Sequence, residues 1–224
     1  MSRAYQAVAN DLVRLIQTEY EIGSRLPPER ELAKLYSVSR PTIREALLAL
    51  SIAGMVEIRS KGGVYITQRH AAPDLSKSGI GPFETVDARL LVEPEVAALA
   101  ASNVTEATLA ELRVSQTLMQ EALEQGQDLK LGDHRFHVAL AHSTGNSMLA
   151  AICDLLWKAQ LDSPIWAEAN RRTLLAPYWK AWIEDHAAIL QAVELGSPIR
   201  ARSAMIRHLD NIRSTLLELT APAR

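Results

Sequence analysis

Asp133, His137, His186 and His208 are the residues of this chain with the clearest chemistry. Asp133 and His137 stand four apart in "DHRFH", so on a helix they lie one above the other on a single face. His186 and His208 flank the turn "LGSPI" and are equally far from Ser197. In an antiparallel helical hairpin such residues lie at the same level, and the two imidazoles can face each other. One carboxylate and three imidazoles around a point suit zinc, nickel or another divalent first-row ion. An incomplete shell would leave room for water or for the carboxylate of a ligand. The competing reading is ordinary: a lone histidine on a helix is usually a surface or satisfied core residue. That reading is taken for His70, His134 and His142. Spacing by itself leaves both readings of the four residues open.

A second group has different chemistry. In "SVSRPTIREALLAL" the residues Ile43, Ala46, Leu47 and Leu50 form an apolar helical stripe, and Arg40, Thr42 and Arg44 fall off it. This spacing predicts that the two arginines project outwards near a helix N-terminus, with Ser39 as the N-cap. Arginine there can hydrogen-bond guanine O6 and N7 in pairs, and Ser39 or Thr42 can bond a phosphate. Arg30 is placed for a further phosphate contact, and Lys61 for the tip of a hairpin. The alternative for each arginine is a surface ion pair with an acid such as Glu45.

The elements that must carry these residues follow from pattern. Apolar residues at helical spacing predict a helix over 5–20, a second from Pro28 or Glu29 to Tyr36, and a third from Arg40 to about Ala53. "MVEIR" and "VYITQ", joined by "SKGG", read as a two-stranded hairpin. Three helices with a short turn between the last two, then a hairpin, make a winged helix-turn-helix. Residues 69–82, rich in Gly, Ser and Pro, read as a linker. Helices are predicted at 83–101, 105–125, 128–143, 147–161, about 176–195 and 198–219, with Pro94 expected to kink the first. Residues 162–176 carry no clear signal. The expected fold is mainly α, with a reader at 1–68, a linker at 69–82 and an all-helical domain at 83–224.

Composition narrows the function. Residues 1–70 hold 10 Lys and Arg against 7 Asp and Glu, a net of +3, while the rest hold 14 against 19, a net of −5. The basic part can face an anionic polymer and the acidic part should not. No run of residues approaches a membrane span, and the N-terminus, interrupted by Arg3, Asn10, Asp11 and Arg14, does not read as a signal peptide. Cys153 is the only cysteine, which excludes an intrachain disulfide and a thiolate-rich zinc site and suits a reducing cytoplasm. A metal-dependent enzyme is the rival class, but no general base stands beside the four candidate ligands. His134 and Glu184 are neighbours in sequence only. The expectation is therefore not an enzyme.

The motif "RLPPERELAKLYSVSRPTIREALLALSIAGMVEIRSKGGVYI" resembles the N-terminal domain of the GntR family of bacterial transcription regulators. The resemblance implies DNA contacts by Arg30, Ser39, Arg40 and Arg44, and a wing glycine at Gly63. Where that family commonly has Gly-x-Gly in the wing, this chain has Lys61 in the first position. "ARLLVEPEVAALAA", "DHRFHVALAHSTGN" and "MIRHL" are similar to the all-helical FCD effector domain of the FadR subfamily. That similarity implies a metal held by Asp133, His137, His186 and His208, and Arg89 directed at an acidic ligand. Against this, Arg89 and Glu93 are four apart and could pair with each other on the surface. Asn211, three after His208, could contact a hydroxyl group. Trp182, like Trp166, offers a face for a sugar ring or is simply core. "GPFETVDARLLVE", "SPIW" and "HLDN" look most like the hexuronate-responsive branch. The expected protein is a cytoplasmic homodimer, on the nucleoid when operator-bound, that reads a palindromic double-stranded operator and responds to a hexuronate or another carboxylic acid.

Overall fold

The computed structural model describes residues 4–59, 62–69, 80–173 and 178–219. Its order is α1 (Ala4–Glu19), α2 (Glu29–Leu35), α3 (Arg40–Ile52), β1 (Val56–Arg59), β2 (Gly63–Ile66), α4 (Pro82–Ser102), α5 (Glu106–Glu124), α6 (Lys130–Ser143), α7 (Ser147–Leu161), α8 (Pro164–Thr173), α9 (Tyr178–Glu194) and α10 (Pro198–Leu219). The mainly α architecture agrees with the periodicity of the sequence. The stretch without a clear signal, 162–176, contains α8. Pro94 lies inside α4. Two compact units result: Met1–Glu84 with Gln160–Arg172 and Thr215–Arg224, and Thr85–Ala159 with Thr173–Ser214.

The first unit is built on the apolar stripes of α1 and α3. Val8, Leu12 and Ile16 close on Ile43, Leu47 and Leu50, all nearly inaccessible, and Ile165 of α8 joins the same core. Ser39 starts α3 because its hydroxyl accepts the Thr42 backbone N–H at 3.3 Å, and Pro41 follows where a missing N–H costs nothing. α3 stops at Gly54, whose φ of +71° only glycine adopts freely. β1 and β2 pair antiparallel with Val56 opposite Ile66 and Arg59 opposite Gly63. The carboxylate of Glu45, on α3, is buried and accepts the backbone N–H groups of Phe83 and Glu84 at 3.0 and 3.2 Å. Those donors are free in the first turn of α4, and an acid there also complements the helix dipole. Gly81 has no room for a Cβ because the Glu45 carboxyl lies against it.

The second unit is a bundle of helices. α5 starts at Thr105, which caps through the Thr108 N–H at 3.2 Å. α9 and α10 form the hairpin expected from "LGSPI", with Gly196 in the left-handed region at φ +57°. α6 packs on α5 through Gly132, where a Cβ would meet Met119 and the Ser115 carbonyl.

Replacing Leu50 by Ala should destabilise the first unit by about 2–5 kcal/mol, because the side chain is fully enclosed and the cavity can only partly collapse. Urea unfolding followed by circular dichroism measures this. A loss below about 1 kcal/mol would mean that the site is not close-packed.

Candidate nucleic-acid interface and metal centre

In the first unit, α3 presents its N-terminal turn to solvent. Arg40 is 59% exposed, Arg30 and Ser39 are exposed and Thr42 is half-buried. Ser39 and Thr42 also share a hydroxyl hydrogen bond of 2.8 Å. Arg44 does not project outwards as its place off the stripe predicted. Its side chain is 2% exposed, and Nε donates to Oε1 of buried Glu29 at 3.0 Å and lies 2.8 Å from Oε2. Periodicity missed this because it sorts apolar from polar, whereas here an acid from α2 supplies a polar pocket inside the fold. Burial pushes the Glu29 carboxyl up, with Arg44 opposing the shift. Gly63 is buried in β2 with φ +102°, and a Cβ there would overlap the Arg25 guanidinium. Arg25, exposed beside the wing, and Arg59, stacked 4.3 Å over Tyr65, are cations that motif reading did not select. Lys61 lies outside the described residues.

In the second unit α6, α9 and α10 bring the four predicted metal ligands together. One donor atom from each of Asp133, His137, His186 and His208 lies within 4.8 Å of the others. Asp133 Oδ1 is 3.0 Å from His186 Nε2 and 3.3 Å from His137 Nε2, and the two Nε2 atoms are 3.3 Å apart. Donors bound at ~2.0–2.1 Å in a tetrahedral or octahedral shell stand ~3 Å apart, so these three are spaced for one ion. The outward nitrogens are committed. His137 Nδ1 is 2.8 Å from Glu93 Oε2, and His186 Nδ1 donates to the Trp182 carbonyl at 2.7 Å. Such partners fix the tautomer that leaves Nε2 free to ligate. His208 is wholly buried with neither ring nitrogen hydrogen-bonded; its Nδ1 is 3.8 Å from Asp185. A buried imidazole in that state is costly unless another ligand completes it, and a metal does so.

The electrostatics suit a cation. Burial would raise the Asp133 carboxyl, but the His137 and His186 imidazoles against it hold it well below the usual carboxylate range. Burial, reinforced by His186, pushes His208 down to about 3, which keeps it neutral as a ligand must be. Burial would also depress His137, yet the Glu93 charge and the bonds to Asp133 and Glu93 raise it.

Arg89, on α4, is fully buried. It pairs with Glu93 as the spacing allowed, with Nε to Oε1 at 2.7 Å and NH2 to Oε2 at 3.1 Å, but inside the bundle rather than on its surface. The guanidinium stacks 4.6 Å from the Trp157 ring and lies within 3.5 Å of the His137 ring. Glu93 is held at about 2: burial opposes ionisation, and Arg89 with His137 overcomes it. Asn211 donates to Asp185 at 2.8 Å, and Trp182 is half-buried with its carbonyl on His186. Glu93, Trp157 and Asp185 complete the surroundings. Only Glu93 left a trace in the sequence, by its spacing from Arg89. Among the described residues no helix is long and apolar enough to cross a membrane.

Known proteins place both halves. Residues 4–66 match the model of bacterial regulatory proteins of the gntR family, and residues 84–211 match the FCD domain. The Uxu operon regulator of Haemophilus influenzae is 35% identical, over 98% of this chain and 84% of its own. The Exu regulon transcriptional regulator of Escherichia coli is 34% identical over 98% of this chain and 86% of its own. The chain belongs to the GntR family. It is an FCD-containing, FadR-like GntR regulator, a class of transcription regulators and not of enzymes. Among solved structures, a GntR protein of Streptococcus agalactiae is 29% identical with a TM-score of 0.50, covering 94% of this chain and 99% of that one. Escherichia coli McbR/YncC shares the fold, with 21% identity, a TM-score of 0.53, and coverage of 97% and 99%.

If Glu93 sets the tautomer and basicity of His137 in this GntR regulator, Glu93→Gln should weaken metal binding by roughly 10–100-fold. Competition against a chelating dye measures it. An unchanged affinity would remove Glu93 from the support of the metal.

Proposed function

We propose that this GntR regulator is a metal-dependent repressor of hexuronate catabolism, released from its operator by an acidic effector. In this reading residues 1–68 read DNA and residues 83–224 sense the effector and dimerise, joined by 69–82. The carrying observation is the juxtaposition of Asp133, His137, His186 and His208 in a buried set with one hydrogen-bond-deficient imidazole. Zinc or nickel is the ion that a carboxylate and three imidazoles fit best. When bound, it would supply a Lewis-acidic centre for a sugar-acid carboxylate. Arg89, paired with Glu93, is the guanidinium that an acidic effector would approach, and Trp157, already stacked on it, supplies an apolar wall. Asn211 and Trp182 remain candidates for hydroxyl and ring contacts. The relatives named for the Uxu operon and the Exu regulon support a hexuronate over another carboxylic acid.

On the DNA side, Arg30 and Arg40 are the exposed arginines of the helix-turn-helix, with Ser39 and Thr42 beside them and the wing at Gly63. Two copies related by a twofold axis would place two α3 helices on a palindromic, double-stranded operator. Such a protein works in the cytoplasm. Release requires the effector to bind the operator-incompetent state more tightly, since equal affinity for both states shifts nothing.

The reading is tested by metal analysis of freshly purified protein and thermal-shift assays with glucuronate and galacturonate, with and without chelator. One ion per chain, and a rise in Tm that needs both uronate and metal, is the expected result. No metal, or the same shift after chelation, would overturn it. His186→Ala should still bind operator in a gel-shift assay but fail to release it with uronate, and normal release would remove the metal from the response.

A further inference from the structure

Arg44 and Glu29 form a closed charge pair at the junction of α2 and α3. Both side chains are almost inaccessible, at 2% and 3% exposure, and Nε of the arginine contacts both carboxylate oxygens. Glu29 is the first residue of α2 and stands next to Arg30, while Arg44 lies one turn beyond Arg40 on α3. The same Glu29 Oε2 that holds Arg44 is 3.9 Å from the Arg40 guanidinium, which is otherwise exposed. One buried carboxylate therefore touches two of the three arginines of the motif and adjoins the third.

An arginine that reads guanine must turn its paired N–H donors to the base edge. For Arg44 this would mean leaving Glu29 behind as an unpaired buried charge, a strongly unfavourable state. Arg40 faces no such obstacle. Its weak tie to Glu29 leaves the guanidinium in solvent, and the carboxylate biases where it points.

We propose that Glu29 and Arg44 are positioning residues for operator reading: their buried ion pair locks α2 against α3 and aims Arg40, which makes the base contact, at the major groove. The inference rests on the operator-reading role proposed above. It gives Arg44 a different task from its neighbour four residues earlier, although sequence spacing makes the two look equivalent.

The pattern of base-pair discrimination tests it. An operator is selected from a random duplex pool with the full-length, metal-loaded protein, and each base pair is then substituted in turn. Affinities are compared for Arg40→Ala, Arg44→Met and Glu29→Gln, with melting curves to establish that each variant is folded. Arg40→Ala should flatten discrimination at one position per half-site, by roughly tenfold or more. Arg44→Met and Glu29→Gln should blunt the same position and no other. If either single variant is unfolded, Glu29→Leu combined with Arg44→Met leaves no buried charge unpaired, and it should show the same signature. The proposal is overturned if Arg44→Met flattens a second position that Arg40→Ala leaves intact, since Arg44 would then read a base itself. It is equally overturned if discrimination at the Arg40 position is undiminished in the charge-free pair. If the wild-type protein selects no preferred sequence, the operator-reading role itself fails, and this inference fails with it.

Discussion

Glu93 is a carboxylate with almost no access to water, ionised because a guanidinium and an imidazole both lie against it. Burying three such groups separately would be prohibitive, and together they satisfy one another. The arrangement ties α4 to α6: Arg89 and Glu93 come from the first helix and His137 from the second. It also orients the candidate metal site, since the bond to Glu93 turns the other nitrogen of His137 towards Asp133 and His186. An acidic effector aimed at Arg89 would meet an arginine already neutralised by Glu93.

Buried acids recur in the first unit with a similar effect. Glu29 closes on Arg44 between α2 and α3, and Glu45 closes on backbone donors at the start of α4. Apolar packing alone would be less selective, because volume and pattern can be met in several ways while a buried charge tolerates few partners. The acidic balance of residues beyond 70 therefore says little about this chemistry, because the acids that organise the sites are enclosed.

Much of the architecture was legible in the sequence. Helical periodicity and the N-cap Ser39 marked most elements to within a few residues, because these signals are local. Residues 162–176 carried no such signal, and Ile165 of α8 there owes its burial to distant partners in the core of the reader. The four candidate donors were singled out by the four-residue step of Asp133 and His137, the symmetry of His186 and His208 about Ser197 and the resemblance to the FCD domain, and the structure brings one donor atom of each within 4.8 Å of the others.

What the sequence determined by itself, then, was the family and the element order, since motif and periodicity are written in short-range spacing, whereas the four candidate donors met only through the packing of three helices. Tertiary structure alone decided which charges face water. Arg40 and Arg44 are indistinguishable by period and type, yet one is open and the other enclosed, because Glu29, from a different helix, reaches only the second closely. Glu93, Asp185 and Trp157 joined the centre in the same way. Their roles depend on side chains brought together from separate helices, and no local pattern records such a meeting.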